Sequence, residues 1–178
     1  ADKILYNISL FIDELLVSLY NLKKFYNLQS EKDIVGHLVV ALAPHTSAGI
    51  VGRIIGFSKT QAFYAHPLFH AATRRDCDGD EASVTLLMDA LLNFSRQFLP
   101  DSRGSTQDAP LVLTSTLIPT EVDDMAFDLD VASRYPLEFY EATQQYELPW
   151  NVKIERFANI LNNEGSYTKI SYTHPVSD

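Results

Sequence analysis

Five consecutive residues, Asp76-Cys77-Asp78-Gly79-Asp80, place three carboxylates at alternate positions on one short stretch, with Glu81 following. Carboxylates a few ångströms apart repel one another, and the usual resolutions are a raised pKa, basic partners or a bound divalent cation. Hard oxygen ligands on a glycine-containing turn suit Mg²⁺, which takes a few carboxylates and leaves its other positions to water and substrate phosphate. The stretch therefore reads first as a magnesium site for phosphate chemistry. A calcium loop of the EF-hand type fails, because counting from Asp76 puts Gly79 at position 4 and Leu87 at position 12, where Gly at 6 and Glu at 12 are required. A haloacid-dehalogenase-like phosphatase is a poor match, since Thr73-Arg74-Arg75 stands where an apolar strand should end. An exposed turn in which Asp80 or Glu81 caps a following helix stays open as the structural alternative.

The charge distribution around these residues is uneven. The chain of 178 residues has a formal net charge of −9, yet residues 34–75 carry Arg53, Lys59, Arg74 and Arg75, four histidines and no acid, whereas residues 76–150 carry three Arg against fifteen acids. A carboxylate-free basic stretch running into a carboxylate cluster suits a polyphosphate held between basic groups and a metal. A solvated acidic face gives the same count. Arg74 and Arg75 are candidates for phosphate contact or, equally, for ion pairs with the neighbouring Asp residues.

The elements that must position these groups are legible in part. Asn7 is a candidate N-cap for a helix that lines Ile8, Phe11, Ile12, Leu15 and Leu19 along one stripe. His37 to Ala43 is a short apolar run ended by Pro44 and reads as a buried strand. Thr46 and Ser47 read as a cap pair for a helix-like stretch from Ala48 to Phe57, in which Gly49, Gly52 and Gly56 leave a bare stripe for close packing or for the approach of a nucleic-acid backbone. The aromatic stretch from Ala62 to Arg75, interrupted by Pro67, reads as an irregular or edge strand leading to the acidic loop. A buried helix is expected from about Ala82 to Phe98, its N-terminus facing the carboxylates and helping to keep them ionised. Residues 101–109 read as a mobile connection, Leu111 to Ile118 as a strand, 121–130 as a solvated acidic loop, and the remainder as mixed short elements.

Other residues carry weaker signals. His66 and His70 have the spacing of a helical zinc pair, but Pro67 argues against a helix there. Cys77, the only cysteine, sits between two acids and makes a poor nucleophile; its solitude excludes an internal disulfide. Ser47 beside His45 lacks a nucleophile elbow. No apolar run reaches the length of a bilayer span and the N-terminus lacks the features of a secretory signal, so a soluble, cytoplasmic protein of one globular unit is expected.

The string Asp76-Cys-Asp-Gly-Asp80 resembles the Asp-Phe-Asp-Gly-Asp core of the metal-binding loop in multisubunit RNA polymerases. Three longer stretches resemble the large subunit of the archaeal family D DNA polymerase. They are His37-Leu-Val-Val-Ala-Leu-Ala-Pro-His-Thr-Ser-Ala-Gly-Ile-Val-Gly-Arg-Ile-Ile-Gly-Phe57, Tyr64-Ala-His-Pro-Leu-Phe-His-Ala-Ala-Thr-Arg-Arg-Asp-Cys-Asp-Gly-Asp-Glu81 and Asp108-Ala-Pro-Leu-Val-Leu-Thr114. The resemblance covers most of residues 10–150.

The resemblance implies a mixed α/β fold, a catalytic core segment of the double-psi β-barrel type with flanking helices. The chain is expected to divide into a helical lead-in over 1–33, the barrel segment over 34–120 with the metal loop at 76–81 and the helix at 82–98, and an acidic loop with a C-terminal α/β extension over 121–178 packed on the same unit. The resemblance implies DNA-directed DNA polymerase activity, with Asp78, Asp80 and Asp76 as ligands of catalytic Mg²⁺, for which Mn²⁺ can substitute. Gly79 allows the turn, and Arg74, Arg75, Arg53, Lys59 and His45 are candidates for contacts with phosphate or DNA. The implied partners are primer-template DNA, a deoxynucleoside triphosphate, the lysine-bearing second barrel in the remainder of the large subunit, a small proofreading exonuclease subunit and a sliding clamp. The chain is far shorter than family members and has no matching lysine pair, so alone it should lack appreciable polymerase activity. The alternative is a non-catalytic, polymerase-derived module for assembly or DNA binding.

Overall fold

The computed structural model describes residues 1–44, 48–76, 78–93 and 112–170. These form a mixed α/β structure in two compact units: one takes the described residues of 1–63 and 81–116, the other those of 64–80 and 117–170. Among the described residues no helix is long and apolar enough to cross a membrane.

The first unit opens with helix α1, Asp2–Ser18. It begins five residues before Asn7, which lies inside it, and its buried face is Leu5, Ser9, Ile12, Asp13 and Leu16. This differs from the apolar stripe expected from spacing: Phe11 and Leu19 are 63% and 68% exposed. The rotation has a cause in Asp13, which is 2% exposed. Its carboxylate accepts from the backbone N–H groups of Phe25 and Tyr26, both at 2.8 Å, and of Asn27 at 2.6 Å. A buried carboxylate is tolerable only when its oxygens are satisfied, and three donors satisfy it here. The helix turns the face bearing Asp13 inward so that this one side chain pins the connection that follows.

Strand β1, Leu38–Leu42, is the strand expected from the apolar run. Val39, Val40 and Ala41 are all buried, as a continuous apolar run in a sheet interior requires. β1 pairs antiparallel with β2, Ala48–Arg53, in a register that sets Val40 opposite Val51 and Ala41 opposite Ile50. The glycine-spaced stretch is thus a strand where a helix was expected. Its glycines weaken a helix, while pairing on both edges, with the neighbouring β1 and with a distant segment, and the β-branched Ile50 and Val51, favour the strand.

On its other side β2 pairs in parallel with β4, Val112–Thr114, which falls within the expected 111–118 strand. β3, Ser83–Leu86, pairs antiparallel with β1 and completes the sheet order β3-β1-β2-β4. The helix expected from Ala82 therefore starts later: the helix α3 spans Leu87–Asn93. Residues 94–98 of that expectation lie outside the described residues, as do Thr46, Ser47 and 101–109. Ile12, Leu16, Tyr26, Ile34, Val39 and Leu86 form the unit's core, and the Tyr26 hydroxyl accepts from the Met88 N–H at 3.4 Å.

The second unit holds helix α2, Pro67–Ala72, where an edge strand was expected. Pro67 sits in the first turn, where a missing N–H costs nothing and the fixed φ favours helix. His66 is the N-cap, with Nδ1 accepting from the Leu68 N–H at 3.1 Å. Its Nε2 lies 2.9 Å from the Tyr167 carbonyl oxygen, which can only accept, so the imidazole is the neutral Nε2–H tautomer.

The acidic stretch 121–130 is more than a solvated loop. Short 3₁₀ turns at Pro119–Glu121 and Asp124–Phe127 deliver Val122, Ala126 and Phe127 to a core with Ala71, Phe157 and Ile160. Helices α4, Leu137–Gln144, α5, Phe157–Ile160, and α6, Glu164–Tyr167, complete the unit.

Candidate metal centre

The acidic loop leaves the C-terminal end of α2. Thr73 caps the helix, its hydroxyl donating to the His70 carbonyl at 2.6 Å, and Arg74 follows with φ +60° and its N–H bonded to the Ala71 carbonyl at 2.9 Å. A non-glycine residue in the left-handed region at this position ends the helix sharply and redirects the chain. Gly79 has φ +121°, and a Cβ built there would meet nothing within 4 Å. Backbone conformation, rather than space, makes glycine the suitable residue.

Between these two bends Asp76, Asp78 and Asp80 converge: each offers a carboxylate oxygen, and the three oxygens lie within 4.8 Å of one another. Asp76 is half-buried and Asp78 and Asp80 are exposed. Partial desolvation and, after it, the facing Asp78 carboxylate push the Asp76 pKa above its ordinary value. Arg75 Nη1 stands 3.5 Å from Asp80 Oδ2. That ion pair is one of the two roles open to Arg75 from sequence. Three hard oxygen donors on one open loop, with excess negative charge, fit a divalent cation that keeps further positions for water and substrate.

The other candidates fall elsewhere. Arg74 is exposed on the turn. Arg53 ends β2 in the other unit, where its guanidinium donates to the Gly36 carbonyl oxygen. With Tyr26, His37 and Met88 it lines a cavity of about 320 Å³. Lys59 lies in the exposed stretch after β2, and His45 and Cys77 lie outside the described residues. The helix expected to face the carboxylates begins only at Leu87, after β3, so no helix N-terminus follows the loop directly. His66 commits both ring nitrogens to structural bonds and is no zinc ligand.

Sequence reasoning missed Asp13. A carboxylate within the apolar spacing of Ile12 and Leu16 was the available signal, because an unpartnered charge has no place on a buried face.

The model for "DNA polymerase II large subunit DP2, catalytic domain" matches residues 1–178, the whole chain. The chain belongs to this family. It is 53% identical over its full length to the DNA polymerase II large subunit of Thermoplasma acidophilum and to that of Pyrococcus furiosus, and 53% identical over 94% of its length to that of Archaeoglobus fulgidus. It spans 17%, 14% and 15% of those three proteins respectively.

Proposed function

We infer that this chain is the carboxylate-bearing part of a DNA polymerase active centre, catalysing transfer of a nucleotide from a deoxynucleoside triphosphate to a primer 3′-hydroxyl. The observation that carries the reading is the convergence of Asp76, Asp78 and Asp80 within 4.8 Å in a chain whose whole length matches the catalytic domain of a DNA polymerase large subunit. The fold we assign is the double-psi β-barrel shared with multisubunit RNA polymerases; the mixed sheet, with two antiparallel pairings and one parallel, supports a segment of such a barrel.

Asp78 and Asp80 would hold Mg²⁺, or Mn²⁺ in its place, with Asp76 as the third ligand. When bound, the ion supplies charge stabilisation at the phosphoryl oxygens and lowers the pKa of a coordinated hydroxyl. The carboxylates fix the position of that charge on a loop bent at Arg74 and Gly79. In the net reaction the primer 3′-hydroxyl loses its proton to water and its oxygen bonds to the α-phosphorus, the bond to the bridging oxygen of the β-phosphate breaks, and pyrophosphate leaves with its electron pair. Arg75, 3.5 Å from Asp80, would balance the loop's charge and turn toward phosphate when substrate arrives. Arg74, Arg53, Lys59 and His45 are the further candidates for contact with DNA or phosphate.

The partners of this reading are primer-template DNA, the lysine-bearing barrel in the remainder of the large subunit, a small proofreading exonuclease subunit and a sliding clamp, in the cytoplasm. The test is primer extension by the assembled polymerase carrying Asp78→Ala or Asp80→Ala. Both variants should lose nucleotide addition while keeping DNA binding. Near-normal extension by either would overturn the reading in favour of a non-catalytic assembly module.

A further inference from the structure

Helix α4, Leu137–Gln144, buries none of its eight residues. Isolated helices shorter than about 12 residues are marginal in water, so such a helix needs a packing partner. Around it, Tyr135, Leu137, Tyr140, Tyr146, Leu148 and Trp150 are 39–94% exposed. The aromatic groups are already organised: Tyr135 stacks on Phe139 with ring centroids 4.8 Å apart, and Phe139 meets Tyr140 edge-on at 5.5 Å. A patch of pre-ordered aromatic side chains is the composition of an interface core, where Tyr and Trp lose little freedom on docking.

The charge of the patch decides its partner. Residues 137–150 contain Glu138, Glu141 and Glu147 and no Lys or Arg. Such a surface repels a phosphodiester backbone and attracts a basic one. The chain also spans only 14–17% of its relatives, so most of the protein surface available to cover α4 lies outside residues 1–178. We propose that the acidic, aromatic surface of residues 135–150 docks a lysine- and arginine-bearing apolar surface carried by the remainder of the large subunit, and that α4 is a joint within that subunit. This rests on the reading of the chain as one part of a larger subunit.

Carbodiimide cross-linking of the full-length large subunit, followed by mass spectrometry, tests it. Glu138, Glu141 or Glu147 should join to lysines outside residues 1–178, and amide exchange over 137–150 should be at least ten-fold slower than for an unprotected segment. Trp150→Glu combined with Tyr140→Glu should weaken both signals at least ten-fold. Asp78→Ala should leave both unchanged, so failure here is distinguishable from failure of the catalytic assignment. Fast exchange with no such cross-links overturns the proposal. So do cross-links confined to a second copy, revealed by isotopically mixed subunits, or protection that appears only when single-stranded DNA is added.

Discussion

Two sets of carboxylates in this chain meet opposite fates. Asp13 is 2% exposed and accepts three backbone N–H bonds at 2.6–2.8 Å. Asp76, Asp78 and Asp80 crowd together on an open loop, and Asp80 has an Arg75 guanidinium nitrogen 3.5 Å away. The first arrangement is complete: its charge is met by fixed dipoles, and it holds a turn. The second sets three like charges beside one ion pair at 3.5 Å among the described residues, an excess of negative charge that suits a cation. A carboxylate met by three backbone donors builds the fold, and clustered carboxylates on an open loop are the ones we propose for a cation.

The contrast can be broken at its functional end first. Asp78→Ala and Asp80→Ala in the assembled polymerase should each lower the primer-extension rate about a thousand-fold, the scale of several kcal/mol of lost charge stabilisation. Denaturant unfolding should show little change in stability. If either substitution unfolds the protein, the loop is structural and the contrast collapses.

At the other end, Asp13→Ala strands three backbone donors and should cost about 3 kcal/mol, read as a lowered denaturation midpoint. Asp13→Asn, which keeps one acceptor oxygen, should recover part of that loss. An Asp13→Ala protein as stable as the parent would show that the bonds at residues 25–27 hold nothing.

The remaining effects are smaller and depend on pH. Burial lowers the His70 pKa below 6.5. As pH falls below 6.5 the unfolded chain gains a proton that the folded chain resists, so stability is present above that value and declines toward the folded pKa. Thermal unfolding between pH 7 and 5 should show the decline, and His70→Gln should flatten it.

Asp76 runs the other way. Its raised folded pKa means that ionisation opposes folding above the unfolded value of 3.8, and stability from this group grows as pH falls through the folded pKa toward that value. The proposed Mg²⁺ site needs this carboxylate ionised, so affinity measured by calorimetry should weaken on acidification sooner than an Asp of ordinary pKa would make it. A flat profile through that acidification would remove Asp76 from the site.

Legibility followed the range of the interactions involved. β1, Leu38–Leu42, could be read as the run from His37 to Ala43, because a buried strand announces itself by an unbroken apolar run. β2 could not, because its conformation comes from pairing with β1 on one edge and, on the other, with β4, which lies far away in sequence. α2 was obscured by Pro67, a breaker in a helix interior that is favourable in the first turn. At the loop, residue types and spacing pointed to the three Asp residues as a group. Whether Arg75 faces Asp80 was left open between two roles.

By itself the sequence determined that carboxylates at 76, 78 and 80 stand at alternate positions around a glycine, a spacing that allows them to meet on one turn. It also determined the family resemblance, which residue identity carries directly. The tertiary structure decided which acid is buried and which face of α1 turns inward. It also set Arg53 at the Gly36 carbonyl and left α4 with no buried residue. These are outcomes of competition for donors and for apolar cover among groups distant along the chain, and no local pattern of residues contains that competition.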